Sequence, residues 1–315
     1  MKLKFRNPFK KEKAPIKTAT FILGLILSLL VLIIVFLGII GWGIYGLNWQ
    51  GSFIESVVSI VPYPAARVNS HFILCSDYFK DLNAARKFYD KQRSNNVVNL
   101  PNDQKLKKII LEDRLVEEVL IENIADRLNV IVAEIDADNK LNEIINNYGT
   151  KEDLEKYLLE WYGIGINDYK KYFIKPNLYE DFLEIKIIDD VSINGKAREK
   201  IDEAYAKLKS GIDFDKVFEE YSEFKEEDNG STKSMTGNFL RGELPKPLED
   251  SLFLLKAGQY TDVIKLPGSY SIIKLINKDE DKGLLILKTI LVKTKNLNDL
   301  VQEEKEKSTI KIYAY

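Results

Sequence analysis

The chain has 315 residues, 45% hydrophobic and 30% charged, which is enough for two folded units plus accessories. Its net charge of −2 hides an uneven split: residues 1–18 hold seven Lys/Arg against Glu12 (+6), and the other 297 carry 39 basic against 47 acidic residues (−8). That balance argues against a nucleic-acid face, and the single Cys75 excludes an intrachain disulfide and a cysteine-based zinc site.

Residues 1–18 read as a basic cytoplasmic tail. No charged residue lies between Lys17 and Glu55, and the run Phe21–Gly46 exceeds the roughly 20 apolar residues that a bilayer core requires. A transmembrane helix is therefore expected over residues 19–46, with Trp42, Tyr45 and Trp49 as an aromatic belt. The positive-inside rule makes this a single-pass plasma-membrane protein, N-terminus cytoplasmic and later domains extracytoplasmic. A cleaved signal peptide has a shorter apolar region, about 7–15 residues, followed by a small-residue site. The nearest such site, Pro64-Ala65-Ala66, lies far beyond this run. A buried core helix of a soluble domain is the weaker alternative, because this segment is apolar on all faces.

Residues 47–64 read as a connector closed by Pro62-Tyr63-Pro64. A short extended piece, Arg67–Ile73, precedes a helix capped by Ser76 that carries Tyr78, Phe79, Leu82, Ala85 and Phe88 at helical spacing. Asn95–Asn102 is turn-like. The run Gln104–Leu128 aligns Leu106, Ile110, Val116, Leu120 and Ile124 on one stripe, and Ile131–Asp136 opens a further helix to about Tyr148. Thr150 and Asp153 form a capping box for a helix reaching Trp161, and a helix from Asn167 meets Pro176, which interrupts or bends it. The motifs VNSHFIL before a helix, the long helix, the VAEID helix start and the hinge Tyr162-Gly163-Ile164 resemble, over about residues 65–183, the N-terminal helical domain of SurA-like and PrsA-like chaperones. An ordinary helical bundle explains the same pattern.

Glu184–Ile188 is a candidate opening strand. Ala197–Ser210 follows as an amphipathic helix stopped by Gly211, and Asp213-Phe214 begins a second helix ending at Tyr221-Ser222. Gly230, Gly237 and Gly242 punctuate a loop, Pro247–Leu255 is a short helix ended by Gly258, and Tyr270–Leu275 alternates as a strand. This order, and above all GNFLRGELPKPLEDSLFLLKAGQ (Gly237–Gln259), resembles the parvulin (PpiC, rotamase) domain of peptidyl-prolyl isomerases over residues 184–281. Residues 282–315 form a C-terminal strand and helix. Lys288–Lys293 is similar to the family's opening strand, His-Ile-Leu-Val, with Thr289 at the histidine position. That strand either completes the sheet or docks on the helical domain.

The implied fold class is α+β: a single N-terminal transmembrane helix, an α-helical SurA-like domain and a parvulin-like domain with a small antiparallel sheet. The resemblance implies a prolyl pocket floored by Thr236, Leu244 and Leu248, with Phe239 and Met235 beside it. It places Ser271 at a strand histidine and Phe224 at a cysteine or aspartate. No histidine follows His71, which reads as a surface or capping residue. Leu244 and Leu248 are equally readable as ordinary core, and the carboxylate runs as solvated surface. No catalytic residue, metal or cofactor is expected. Prolyl isomerisation faces a barrier of about 18–20 kcal/mol, and without the family's polar groups only burial remains to lower it. The implied function is a membrane-anchored extracytoplasmic chaperone with a catalytically degenerate isomerase domain. Its partners would be unfolded or partly folded exported polypeptides, and the lipid bilayer through residues 19–46. The alternatives are an active isomerase with a nonstandard pocket and a non-catalytic adaptor in an envelope complex.

Overall fold

The computed structural model describes residues 15–95, 97–223 and 237–315. They form a helix-rich α+β chain with two small antiparallel sheets. The chain divides into two compact units: Met1–Val116 with Ile310–Tyr315, and Glu117–Thr309.

The first unit opens with helix α1 (Pro15–Leu47), of which Thr20–Leu47 is long and apolar enough to cross a membrane. Helix α2 (Ser52–Val58) buries Ile54 and Val58, one turn apart. Strands β1 (Pro64–Val68) and β2 (His71–Leu74) pair antiparallel, so Arg67–Ile73 is a hairpin rather than one extended piece. Asn69 makes the turn possible at φ 54°, a left-handed conformation that its short amide side chain tolerates. Helix α3 (Cys75–Ser94) is capped differently from the sequence expectation. Leu74 holds the cap position, and the Cys75 N–H donates to the Tyr63 carbonyl at 2.7 Å, so the preceding backbone serves where Ser76 was expected. The stripe expected over Gln104–Leu128 is one helical run: α4 (Asp103–Lys108), a π-wound stretch (Ile109–Leu115) and α5 (Val116–Leu128).

In the second unit, α6 (Glu134–Tyr148) and α7 (Lys151–Trp161) follow, the latter with the expected Thr150–Asp153 capping box. Next come α8 (Ile166–Tyr169), a π-wound stretch (Lys170–Ile174) and α9 (Lys175–Asp189). Pro176 lies inside a continuous helical backbone, directly after the π-wound stretch in which the Lys175 N–H bonds to Lys170 O, so the helix is locally rewound where the proline withholds a donor. Leu154, Leu158 and Ile166 form one small core, and Val132, Ala137, Ile174 and Leu178 another.

The expected opening strand Glu184–Ile188 is not a strand; these residues are the last turns of α9. Leu183 and Ile187 are buried four residues apart and Ile185 is exposed, the helical pattern that a short apolar run does not reveal by itself. Helix α10 (Val191–Lys209) starts at once, and α11 (Phe214–Tyr221) is capped by Asp213. Strand β3 (Gly237–Leu240), helix α12 (Lys246–Leu254) and strands β4 (Ile264–Leu266), β5 (Ser269–Asp279) and β6 (Leu284–Lys293) complete the second sheet. Its strand order is β3-β6-β5-β4, all pairs antiparallel. Of the two placements open to Lys288–Lys293, the sheet is the one observed, and β6 lies inside it.

Each face of this sheet carries its own core. Tyr270, Ile272, Ile290 and Val292 pack on α10 and α11 through Ile201, Leu208, Val217 and Phe218. Ile273, Leu275, Leu285 and Leu287 pack with Phe239 and Leu252 of α12 on the other side. After α13 (Leu297–Lys307), the short strand β7 (Ile310–Ile312) pairs with the free edge of β1, giving the first unit a sheet of order β2-β1-β7.

Candidate functional site

Strand register decides which side chains meet. In an antiparallel pair, directly opposed residues share a face. Ser271 faces Leu291 and Ile273 faces Thr289, so Ser271 and Thr289 are diagonal neighbours on one face of the β5–β6 pair. That face also carries Ile273, Leu275 and Leu287, the cluster against which Leu244 and Leu248 pack and to which Phe239 belongs. The structure thus gathers four of the six expected pocket residues, Leu244, Leu248, Phe239 and Ser271, on one side of one sheet. Thr236 and Phe224, with Met235, lie outside the described residues.

The polar content of this face is hydroxyl. Ser271 is fully buried and Thr289 is 3% exposed. The Ser269 and Ser271 hydroxyls lie 3.4 Å apart. No histidine reaches it: His71, the only one in the chain, opens β2 in the first unit and is exposed. Such a surface offers apolar contact and neutral hydrogen bonding. It holds no group that changes charge near neutral pH at either strand position.

The chain leaving α11 is bonded to the sheet. Ser222 and Glu223 follow α11 and run along the free edge of β6 beyond β3. The Glu223 N–H donates to Leu291 O at 2.8 Å, the Leu291 N–H donates to Ser222 Oγ at 3.2 Å, and the Lys293 N–H donates to Glu223 Oε2 at 2.7 Å. Leu291 is the residue opposite Ser271. Burial pushes the Glu223 carboxyl up, but its bonds to Lys200 Nζ and the Lys293 N–H outweigh that and hold it below the usual carboxylate range. The loop between β3 and α12 is pinned from below by Glu249, whose buried carboxylate accepts the Gly242 N–H at 2.6 Å, with Gly242 at φ 87°.

Sequence reasoning missed Ser222, Glu223 and Glu249, which support the site, and Asn194, which fixes the strand beneath it. Asn194 is buried in α10; its amide donates to Ile187 O (2.9 Å) and Lys295 O (3.1 Å) and accepts the Lys295 N–H (2.8 Å). It clasps the end of β6 to the start of α10 across 101 residues of chain. The only available signal was a polar residue in the first turn of a helix, which normally reads as solvated.

Residues 190–277 match the PPIC-type PPIase (rotamase) domain. Foldase protein PrsA of Geobacillus kaustophilus (strain HTA426) is 27% identical over 224 residues, 66% of this chain and 76% of that protein. The chain is similar to PrsA foldases, and its residues 190–277 match the parvulin-type domain. Foldase protein PrsA of Staphylococcus aureus (strain bovine RF122 / ET3-1) is 28% identical to this chain over 50% of it and 57% of the relative. A PrsA of Geobacillus sp. (strain WCH70) is 36% identical over 28% of the chain and 31% of its own length. The chain therefore spans just over half and under a third of those last two proteins. The crystal structure of PrsA from Lactococcus lactis aligns with 78% of this chain and 83% of its own, at 14% identity and a TM-score of 0.26. The matched PPIC-type segment stops at residue 277, before β6, so the strand that resembles the family's opening strand closes the domain here.

Proposed function

We propose that the chain is a membrane-anchored, extracytoplasmic chaperone of the foldase kind, whose parvulin-like unit holds client polypeptide but isomerises prolyl bonds weakly or not at all. Residues 1–18 form the cytoplasmic tail, 19–46 the span, 47–64 the connector and 65–183 the helical chaperone portion. The parvulin-like unit begins near residue 184 and takes its last strand from β6. Clients are unfolded or partly folded exported polypeptides, engaged through Leu244, Leu248, Phe239 and Ser271; Thr236 and Phe224, the other two expected pocket residues, lie outside the described residues. Extended apolar segments bound by many weak contacts suit such a surface.

The observation that carries this reading is the pair Ser271 and Thr289, side by side on one face where the resemblance calls for histidines. Isomerisation makes no covalent bond, so a catalyst must favour the twisted amide electrostatically or by desolvation. Burial against Leu244, Leu248 and Phe239 supplies the second without the first. Retention of α1 is supported by the packing of its outer end: Ile40 and Ile44 are buried, and a signal peptide destined for removal has no reason to contribute core residues.

A protease-coupled proline isomerisation assay on the full chain tests the catalytic half. The expected kcat/KM lies at least about 100-fold below that of active parvulins, the scale of losing a preorganised polar group. A rate near theirs would favour the active isomerase instead.

A further inference from the structure

Thr20–Leu47 spans 28 residues, about 42 Å at 1.5 Å per residue. A bilayer hydrocarbon core takes up only roughly 20 residues, about 30 Å. Counted from Thr20, the hydrocarbon stretch ends near Ile39, which leaves Ile40–Leu47 as surplus. Burial along the helix changes at the same place. Every residue from Thr20 to Phe36 is exposed, Leu37 is half-buried, and Ile40 and Ile44 are 2% and 1% exposed.

The surplus is tied into the first unit. Tyr63 Oη donates to Leu37 O at 2.6 Å and Tyr45 Oη to Pro64 O at 3.1 Å, and the two rings meet edge-on with centroids 6.3 Å apart. Trp49 folds back over the helix and its N–H donates to Gly43 O at 2.9 Å. Its ring lies so close that a Cβ on Gly43 would fall 2.1 Å from it. The connector has no slack either, because Gln50 Oε1 accepts from Arg86 and Glu55 Oε1 from Asn83, both at 2.9 Å. Helix α2 follows after a four-residue linker, and the chain then turns back toward the bilayer: Tyr63, three residues past Ile60, meets the apolar helix at Leu37 and Gly41, where the hydrocarbon stretch ends. On α2, Ile54 and Val58 face the core, whereas Phe53 is 61% exposed and Ile60, just beyond the helix, 84%.

We propose that the last two turns of α1 are a structural element of the first unit, and that this unit is seated on the lipid headgroup layer through Phe53 and Ile60. The anchor then acts as a rigid post and not as a flexible tether. The proposal rests on the reading of Thr20–Leu47 as a membrane span. Large apolar side chains exposed beside an aromatic belt, on a chain that Tyr63 ties back to the apolar helix at Leu37, suit an interface and not bulk water.

Nitroxide labels on Leu30→Cys, Phe53→Cys, Ile60→Cys and Asp281→Cys, made one at a time in the full chain, test it. The protein is reconstituted in phosphatidylcholine–phosphatidylglycerol vesicles, and collisions with oxygen are compared with those of a water-soluble nickel complex. Cys75 is buried, its thiol pushed up to about 12 by that burial, and does not compete for label. Positions 53 and 60 should favour oxygen, as position 30 does, while position 281 favours nickel. Labels at 53 and 60 that match position 281 while position 30 stays in lipid overturn the seat and leave the span intact. A water-exposed label at position 30 overturns the span itself, and labels at 53 and 60 shielded from both reagents indicate a protein partner and overturn lipid docking. In the same vesicles, Ile44→Ala should lower the unfolding temperature of the first unit by several degrees, and Ile34→Ala should leave it unchanged. Equal behaviour of the two variants would show that the helix end is no part of the fold.

Discussion

At Asn194, a single amide pairs with both the N–H and the carbonyl of Lys295 and shares Ile187 O with the Asp190 N–H. Each orphaned buried group costs roughly 1–3 kcal/mol. Asn194→Ala should therefore destabilise the second unit by about 2–3 kcal/mol, read as a lower midpoint in denaturant. Asn194→Asp sets a buried carboxyl oxygen against the Ile187 and Lys295 carbonyls and should cost at least as much as Asn194→Ala. Glu223 gives the matching pH dependence. Its folded carboxyl titrates below its unfolded value of about 4.3, so the stability it contributes is present above that pH and is lost as pH falls through the folded value. Acid should thus loosen the Ser222–Glu223 edge. Glu223→Gln should lower the melting temperature at neutral pH and flatten its decline in acid; an unchanged acid slope would show that this carboxyl contributes nothing.

Among the elements, β6 has the largest structural effect. It pairs with β5 along ten positions and with β3 along four, and Ile290 and Val292 sit in the core shared with α10 and α11. A fragment of residues 190–277 contains the whole segment matched to the PPIC-type domain but lacks this strand. It should remain without cooperative unfolding, because β3 loses the strand it pairs with among the described residues and β5 loses its ten-position partner and the β6 side chains in both cores. Extending the fragment to residue 309 should restore a sheet signal by circular dichroism and a sigmoidal melt. Cooperative folding of 190–277 alone would mean that β6 is an accessory. The same geometry explains why an opening strand at Glu184–Ile188 is absent: its place in the sheet is taken, and those residues continue α9.

At the scale of the whole molecule, the proposed anchor would set the working arrangement. On that proposal the basic start of +6 and the −8 remainder lie on opposite sides of a bilayer. Such anchoring would concentrate the proposed binding surface near emerging polypeptide, so individual contacts need not be tight. The full chain in vesicles should suppress aggregation of unrelated, chemically unfolded proteins at near-stoichiometric ratios. Leu244→Asp with Leu248→Asp should weaken that effect without abolishing it, since the helical portion remains. Suppression limited to one partner would instead support an adaptor.

Local chemistry alone determined the apolar helix, the Thr150 capping box, the Asp213 cap and the α12–β5 pattern, because each depends on side chains a few residues apart. It also determined that no histidine follows His71. Only the tertiary structure decided that Glu184–Ile188 is helical, that β6 enters the sheet beside β5, that Ser271 and Thr289 share a face, and that Ile40 and Ile44 belong to a folded core. Those outcomes depend on strand register and on contacts between segments far apart in the chain. A short apolar run satisfies helix and strand equally until its neighbours are in place.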